Sequence, residues 1–199
     1  MPSSDRLRRL AVPLAAFLVG LAALGVAAVL TLAPASRPAG AANVGGPFAL
    51  VDQNGRKATD RDFLGAPHLV FFGFTRCPDI CPTKLFELSE VLRATGEKGR
   101  RLRALFITVD PERDTPEALK SYVASFDDRI VGLTGDPEAV QAAVRAYRAF
   151  ARKVPLKDGD YTMEHTALVY LMDKDGGFVG SFNLNRPPAE AARDLLRRL

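Results

Sequence analysis

One segment of the chain joins a buried apolar run, two cysteines and an amphipathic run: Phe71-Phe72-Gly73-Phe74-Thr75-Arg76-Cys77-Pro78-Asp79-Ile80-Cys81-Pro82-Thr83. The apolar run predicts a buried strand, and the amphipathic run predicts a helix. Cys77 and Cys81 are the only cysteines in the sequence. A cysteine pair between a strand and a helix indicates thiol chemistry at a strand end, and the rest of the predicted domain surrounds this segment.

The prolines of this segment place Cys81 near the cap of a helix that begins around Pro82, because proline suits the first helical positions. A single tight turn can then bring Cys77 within the roughly 4.4–6.8 Å between Cα atoms that a disulfide needs. The positive end of the helix dipole is expected to favour thiolate, the nucleophilic and metal-ligating form. A purely structural disulfide is the alternative, but so short a loop constrains the unfolded chain little.

The length and composition predict one ordinary domain with an extra segment, because 199 residues with 47% hydrophobic content can bury a core. The formal net charge is +4 and the pI is near 9.3. The basic residues are not interleaved with aromatic residues in a stripe, so a solvated surface is favoured and nucleic acid is not an expected partner.

The N-terminal residues predict a membrane anchor. Residues 1–9 carry Arg6, Arg8 and Arg9, and residues 10–32 are uncharged and long enough to cross a hydrocarbon core of about 30 Å. A cleaved signal peptide is the competing interpretation, but its apolar region is usually only about 7–15 residues. The preceding arginines place the N-terminus in the cytoplasm and the rest of the chain across the membrane. An Ala/Gly/Pro-rich linker, 33–46, then leads to a domain at 47–199.

Strand and helix signals alternate along that domain. Predicted strands cover 48–51, 68–74, 102–109 and 130–133, and a late hairpin pairs 166–172 with 178–182. Predicted helices follow Pro82, Pro116 and Pro137 and cover 189–199, and the third of them carries the stripe Val140, Val144, Tyr147 and Ala151. This order predicts an α/β fold, a thioredoxin-like domain whose central mixed sheet is flanked by helices, with an N-terminal transmembrane helix.

Three spaced motifs carry a family resemblance: the run from Phe72 to Pro82, the run from Asp110 to Thr115, and Glu164-His165-Thr166. Together they resemble the Sco family, called SenC or PrrC in bacteria. The resemblance covers most of the chain from about Gly46 and extends to the single-span anchor. Arg76 stands where many members have histidine, and Glu164 where many have aspartate.

The resemblance implies a copper-binding protein whose metal ligands are Cys77, Cys81 and His165. It implies a membrane-tethered protein of the inner (cytoplasmic) membrane with its C-terminal domain in the periplasm. Its partner would be cytochrome c oxidase subunit II, whose binuclear copper centre it would help to assemble, and a periplasmic copper donor is a further possible partner.

The donor chemistry agrees with copper independently of the family name. Two thiolates and one imidazole suit Cu(I) or zinc, and a closed structural zinc site almost always has four ligands. Asp79, Met163 and Glu164 are candidates for a weak further ligand to Cu(II), and the sequence does not rank them.

Other functions use the same residues. A thiol-disulfide reductase would use Cys77 and Cys81 as its redox pair through a mixed disulfide, although the usual spacing in such enzymes is Cys-x-x-Cys. A peroxiredoxin-type peroxidase would have threonine where Phe74 stands. A passive membrane-anchored binding domain would leave the cysteine loop unexplained.

The remaining polar candidates have weaker signals. His68 opens the central strand at the end away from the cysteines, so a structural role is expected. Asp110, Glu112, Arg113 and Asp114 form either a turn with a helix-start charge pattern or a patch near the site, because adjacent parallel strands end on the same side.

Overall fold

A computed structural model describes residues 18–21, 24, 44–157 and 159–199. Residues 18–21 and 24 are helical, and their leucines and valine are exposed. Across the described ranges, no helix combines the length and the apolar composition needed to cross a bilayer. Most of the predicted anchor at 10–32, together with residues 1–9 and 33–43, lies outside the described residues.

A seven-stranded sheet forms the centre of the domain, with the strand order β2-β1-β5-β4-β3-β8-β9. Strands β3, β4 and β5 are parallel, and β8 pairs with β3 in antiparallel orientation, so the mixed thioredoxin-like sheet is confirmed. The strands of this sheet are β1 (Ala49–Asp52), β2 (Lys57–Thr59), β3 (His68–Gly73), β4 (Arg103–Thr108), β5 (Ile130–Thr134), β8 (Val169–Met172) and β9 (Phe178–Ser181).

Four helices of the described domain accompany the sheet: α1 (Ile80–Ala94), α2 (Pro116–Val123), α3 (Pro137–Ala146) and α4 (Pro188–Leu196). Short 3₁₀ turns cover Asp60–Phe63 and Gly96–Gly99. Helix α2 begins as its sequence predicts, since the Ala118 amide donates to the Thr115 hydroxyl at 3.3 Å and Pro116 is the first helical residue.

Strand β3 lies within the core of the domain, since all six of its residues are buried. Phe71 and Phe72 are at most 1% exposed, and their rings contact Phe106 and Tyr147 respectively. Each fully buried side chain of this size contributes roughly 1.5–3 kcal/mol relative to exposure. The loop that leaves β3 therefore starts from a rigid position.

Helix α3 ends earlier than its sequence predicts. The expected stripe runs on to Ala151, but the helix stops at Ala146 and Ala151 opens strand β6. Arg148 has a φ of 51°, and the amides of Arg148 and Ala149 donate to the carbonyls of Arg145 and Val144. This is a Schellman termination, and no glycine stands at this position to signal it.

A second, two-stranded sheet was not predicted. It consists of β6 (Ala151–Pro155) and β7 (Tyr161–His165), paired so that Ala151 lies opposite His165. The predicted strand from Thr166 is also wrong at its start, because β8 begins only at Val169. His165 therefore ends one strand instead of opening another.

Candidate metal centre

The cysteine loop connects β3 to α1 and is tighter than expected. Helix α1 begins at Ile80, with Asp79 as its cap residue, so Cys81 is the second helical residue instead of the cap. Pro82 is tolerated there because amides of the first turn have no partner within the helix. The Cys77 amide donates to the Phe74 carbonyl at 3.2 Å, and the Cys81 amide points at the Cys77 sulfur at 3.4 Å. The turn brings the two cysteines together.

Gly73 provides the space for the Cys81 sulfur at the end of β3. A Cβ atom at this position would lie 2.7 Å from Cys81 Sγ and 2.5 Å from Cε2 of Phe106. Both distances are shorter than real Cβ contacts allow. The glycine that follows the aromatic run is therefore required by the close approach of the sulfur to the strand.

His165 reaches the cysteines from β7, which lies 84 residues from Cys81 in the chain. Its Nε2 atom is 3.6 Å from Cys81 Sγ, and its Nδ1 atom is 3.1 Å from the Thr166 carbonyl oxygen. Because a carbonyl oxygen only accepts, the Nδ1 atom is assigned the proton. That tautomer directs the Nε2 lone pair at the Cys81 sulfur.

The structure brings together the three residues that the resemblance named. One donor atom from each of Cys77, Cys81 and His165 lies within 4.8 Å of the other two. No carboxylate completes a larger group with them in the described part of the chain. Cys81 is fully buried, Cys77 is 8% exposed and His165 is half-buried, so the imidazole side is the more accessible one.

Burial sets the protonation of two of these groups. It raises the pKa of the Cys81 thiol well above its usual range, although a hydrogen bond with the Phe74 backbone opposes this shift. It also lowers the pKa of His165. The expectation that the helix start favours thiolate is therefore wrong for Cys81, because desolvation outweighs the helix dipole. Without metal, a neutral thiol faces a neutral imidazole.

Aromatic rings fix the imidazole. Phe74 meets the His165 ring edge-on with centroids 5.8 Å apart, and Phe71 does so at 6.2 Å. Phe71 and Phe74 are each 1% exposed, so they cannot yield their positions easily. This packing keeps water from the inner side of the site.

Asp114 ties the cysteine loop to the end of β4. Its buried carboxylate accepts hydrogen bonds from the Thr75 amide at 3.0 Å, the Thr75 hydroxyl at 2.6 Å and the Thr108 hydroxyl at 2.6 Å. Desolvation raises the pKa of Asp114, and these hydrogen bonds oppose that shift. The carboxylate therefore positions the loop two residues before Cys77.

Asp110, just after β4, holds β7, the strand that carries His165, against the main sheet. Its buried carboxylate accepts a 2.8 Å hydrogen bond from the Tyr161 phenol and pairs with the Arg113 guanidinium. Arg113 also donates to the Tyr161 carbonyl at 3.0 Å and lies 3.8 Å over its ring. Burial, aided by the bond to Asp110, raises the pKa of Tyr161 to about 12, so its phenol stays protonated and donates.

The run from Asp110 to Asp114 is thus a support for both ligand-bearing elements, and not only a turn. Glu112 faces outward and pairs with Lys153 of β6 at 2.5 Å. Sequence reasoning singled out these charges but missed Thr75 and Tyr161 as their partners. No local signal identifies such pairs, because 39 and 51 residues separate them from their acids.

The remaining candidates occupy other positions. Glu164 is exposed on the opposite face of β7 from His165 and pairs with Arg152 at 2.6 Å. Met163 is buried and shares the His165 face by strand alternation. Asp79 is exposed. His68 is buried at the opposite end of β3, where its ring packs against Phe63, in agreement with a structural role.

The fold and the site together define a class: a thioredoxin-like domain whose strand-loop-helix cysteines meet a histidine from a separate hairpin. The family model SCO1/SenC matches residues 36–199. The chain belongs to this family, as the sequence motifs indicated.

Solved and curated relatives agree with that assignment. The structure of Bradyrhizobium japonicum ScoI with copper bound is 59% identical and has a TM-score of 0.77, covering 78% of this chain and 99% of that one. BsSco, described as a member of the Sco family of cytochrome c oxidase assembly proteins, is 25% identical with a TM-score of 0.61, covering 77% and 92% of the two chains.

The curated relatives are longer proteins. The Mus musculus protein SCO1 homolog, mitochondrial, is 45% identical over 152 residues, which cover 75% of this chain and 54% of the mouse protein. The chain therefore spans about half the length of the curated relative it matches there.

Proposed function

We propose that this chain is a membrane-anchored copper chaperone that binds copper through Cys77, Cys81 and His165. The observation that carries the proposal is the convergence of two sulfurs and one imidazole nitrogen within 4.8 Å of one another. Copper bound in the Bradyrhizobium relative, at 59% identity over nearly that whole chain, supports the same choice of metal.

The donor set favours Cu(I) among the available metals. Two soft sulfurs and one imidazole suit Cu(I), whereas hard cations require oxygen ligands. A closed zinc site would need a fourth ligand, and the described residues place no carboxylate or further histidine beside the three. The neutral tautomer of His165 already directs Nε2 inward, so binding demands little rearrangement.

Uptake of the ion must displace protons. Because burial raises the pKa of the Cys81 thiol, the metal-free site holds a proton that Cu(I) replaces. The half-buried imidazole lies on the accessible side, so we propose that it is the first ligand to be exchanged for one from an acceptor. Transfer would then pass the ion between ligand sets without any change in oxidation state.

We propose that the acceptor is cytochrome c oxidase subunit II, whose binuclear copper centre the chain would help to assemble. This proposal draws on family membership and on the description of BsSco as belonging to a family of oxidase assembly proteins. We further propose that residues 10–32 anchor the chain in the inner membrane, with the domain in the periplasm. The uncharged run behind Arg6, Arg8 and Arg9 supports that orientation.

Copper titration of the reduced 199-residue chain in detergent tests the site. We expect about one Cu(I) per chain, and loss of at least tenfold in affinity for His165→Ala. His68→Gln, at the chain's other histidine, is the matched control and should bind as the parent does. Equal affinity in the parent and in the double variant His165→Ala/Cys77→Ser would overturn the proposed ligand set.

A thiol-disulfide reductase is the second candidate, favoured by the Cys81 amide that points at the Cys77 sulfur. In that reaction Cys77 thiolate attacks a partner disulfide, one partner sulfur leaves as thiol, and Cys81 then resolves the mixed disulfide. The Cys77–Cys81 pair is oxidised and the partner reduced. If His165→Ala retained full oxidase assembly in cells while Cys77→Ser abolished it, this function would replace copper delivery.

A further inference from the structure

Cations are concentrated at the end of the sheet where the parallel strands begin. Residues 96–103 read Gly-Glu-Lys-Gly-Arg-Arg-Leu-Arg, with four cations and one acid. Lys98, Arg100 and Arg101 are exposed, and Arg103 is half-buried. Arg103 lies opposite His68, the first residue of β3, in the register of the sheet. The six residues of β3 therefore separate this end from the start of the cysteine loop by about 16 Å. The charge is therefore distinct from the metal centre.

An open pocket of about 620 Å³ adjoins this segment. Among its lining residues are Arg93, Arg100, Arg103, Arg129, Glu97 and Asp128. Both members of the Arg100–Glu97 pair are largely exposed and lie 3.7 Å apart, so their interaction is weak in water. Guanidinium groups match phosphate oxygens in geometry, which makes the pocket suited to phosphate-bearing anions.

Arg129 lines the pocket and is held in place by hydrogen bonds. Its guanidinium makes two hydrogen bonds with the carboxylate of Asp127, at 2.7 and 2.8 Å, and a third with the Thr95 hydroxyl at 3.2 Å. Asp127 is buried, so its charge is engaged within the domain. The position of the Arg129 guanidinium in the pocket is therefore fixed by these contacts.

The chain enters the domain at this same end. The Gly45 amide donates to the Ala146 carbonyl at the end of α3 at 2.9 Å. A Cβ at Gly45 would lie 2.6 Å from the Met172 methyl, and Met172 pairs with His68 at the start of β3. Gly45, near the start of the described domain, therefore lies at the end opposite the cysteine loop.

A short connector links the entry region to the cations. Gly65 donates from its amide to the Lys174 carbonyl at 2.7 Å and accepts at its own carbonyl from Arg101 at 2.8 Å. Neighbouring Leu64 is 45% exposed. Asp173, in the adjacent turn, accepts from the amides of its own turn, which offsets its charge locally. Gly45, the exposed side chain of Leu64 and the cations of residues 96–103 thus lie at one end of the domain.

We propose that this end, named here the basic pole (residues 93–103 with Arg129 and Leu64), docks on the anionic phospholipid headgroups of the bilayer that holds the anchor. The inference extends the proposed membrane attachment and rests on it for the direction from which the bilayer meets the domain. If the uncharged run of 23 residues, 10–32, spans the bilayer as proposed, the linker of 14 residues, 33–46, limits the distance between the domain and the membrane surface. Cations there are attracted to anionic lipid.

Docking would orient the metal centre. With the basic pole on the lipid, the cysteine loop at the other end of β3 faces away from the bilayer. An acceptor domain that projects from the same membrane would then meet the end of the domain that carries the half-buried His165, and not the tether.

Hydrogen exchange of the full chain in nanodiscs tests the proposal. We expect the amides of residues 93–103 to exchange about fivefold more slowly in discs with anionic phospholipid than in zwitterionic discs, the factor that one cation at an anionic surface supplies. High salt should remove the difference, because it screens exposed charges. Lys98→Glu/Arg100→Glu should also remove it, whereas the control Lys57→Glu/Lys120→Glu, with the same change in charge at other exposed positions, should retain it.

The possible results separate the proposals. Equal exchange in both disc types, with the chain incorporated, would overturn the docking surface and leave the anchor standing. Protection in zwitterionic discs on addition of inorganic phosphate alone would indicate a free-anion site and would also overturn lipid docking. A chain that stays outside the discs but shows the same protection on anionic vesicles would support the surface and overturn the anchor.

Discussion

The phenol of Tyr161 donates a 2.8 Å hydrogen bond to the buried carboxylate of Asp110, and this bond fastens the strand that carries His165 to the edge of the main sheet. Asp114, four residues further on, fastens the cysteine loop through Thr75. The relative position of the imidazole and the sulfurs is thus set by one short segment. Metal affinity should respond to substitutions there, although none of these side chains is a proposed ligand.

Tyr161→Phe should weaken Cu(I) binding by about tenfold while the domain stays folded. The substitution keeps the ring under Arg113 but leaves one oxygen of buried Asp110 without its donor, at a loss of roughly 1–3 kcal/mol. Competition with a chromophoric Cu(I) chelator measures the affinity. Tyr122→Phe is the matched control, because the Tyr122 hydroxyl is buried without a hydrogen-bond partner among the described residues. Equal effects of the two substitutions would refute a positioning role for Tyr161.

Asp114→Asn should reveal the pH dependence that this carboxyl gives to stability. Desolvation raises the pKa of Asp114 in the folded chain above its ordinary value of 3.8. The folded state therefore binds this proton more tightly, and the resulting stability is fully present below pH 3.8 and is lost as pH rises through the folded pKa. The difference in unfolding free energy between parent and variant, from urea titrations, should shift in favour of the parent as pH falls. A difference that is constant with pH would contradict this assignment.

Gly73→Ala should remove copper binding and destabilise the domain by about 1–3 kcal/mol, the usual range for overpacking. The added methyl has no room between Cys81 Sγ and the Phe106 ring. Gly132→Ala, in β5 and two strands away from Gly73, is the control, since its added methyl would lie 3.3 Å from its nearest neighbours and far milder strain is expected. Urea unfolding and copper content measure the two effects. Unchanged copper binding in Gly73→Ala would show that the sulfur does not need this space.

Alkylation should distinguish the two thiols of the reduced, metal-free chain. Cys81 is fully buried and burial raises its pKa, so iodoacetamide at pH 8 should modify Cys77 first and Cys81 at least tenfold more slowly. In urea both should react at similar rates. Peptide mass spectrometry with time identifies the modified site, and faster modification of Cys81 in the folded chain would contradict the described burial.

The sequence predicted the parts of the fold that local signals encode. Thr115-Pro116 marked the start of α2, and the apolar run before Cys77 marked β3. The β6–β7 hairpin escaped notice because its strands are mostly polar and the first of them ends at Pro155. Arg148 ends α3 in a left-handed conformation without the usual glycine. These features depend on tertiary packing, which residue patterns do not reveal.

The metal-binding residues of the candidate site could be predicted from the sequence, but the contacts that hold them in position could not. Cys77 and Cys81 followed from their spacing, whereas His165 followed from the family motif and not from local periodicity. The sequence predicted that the helix start would lower the pKa of Cys81, whereas the pKa is raised in the structure. The reason is that burial, which the sequence does not reveal, disfavours the thiolate more than the helix dipole favours it. The contacts of Asp110 with Tyr161 and of Asp114 with Thr75 arise only when distant segments fold together.

X-ray absorption spectroscopy of the Cu(I)-loaded 199-residue chain tests the central claim most directly, because it counts sulfur and nitrogen neighbours of the metal. The account predicts two sulfur and one nitrogen scatterers in the parent, and loss of the nitrogen in His165→Ala with both sulfurs retained. A parent spectrum with sulfur neighbours alone, unchanged by His165→Ala, would contradict it.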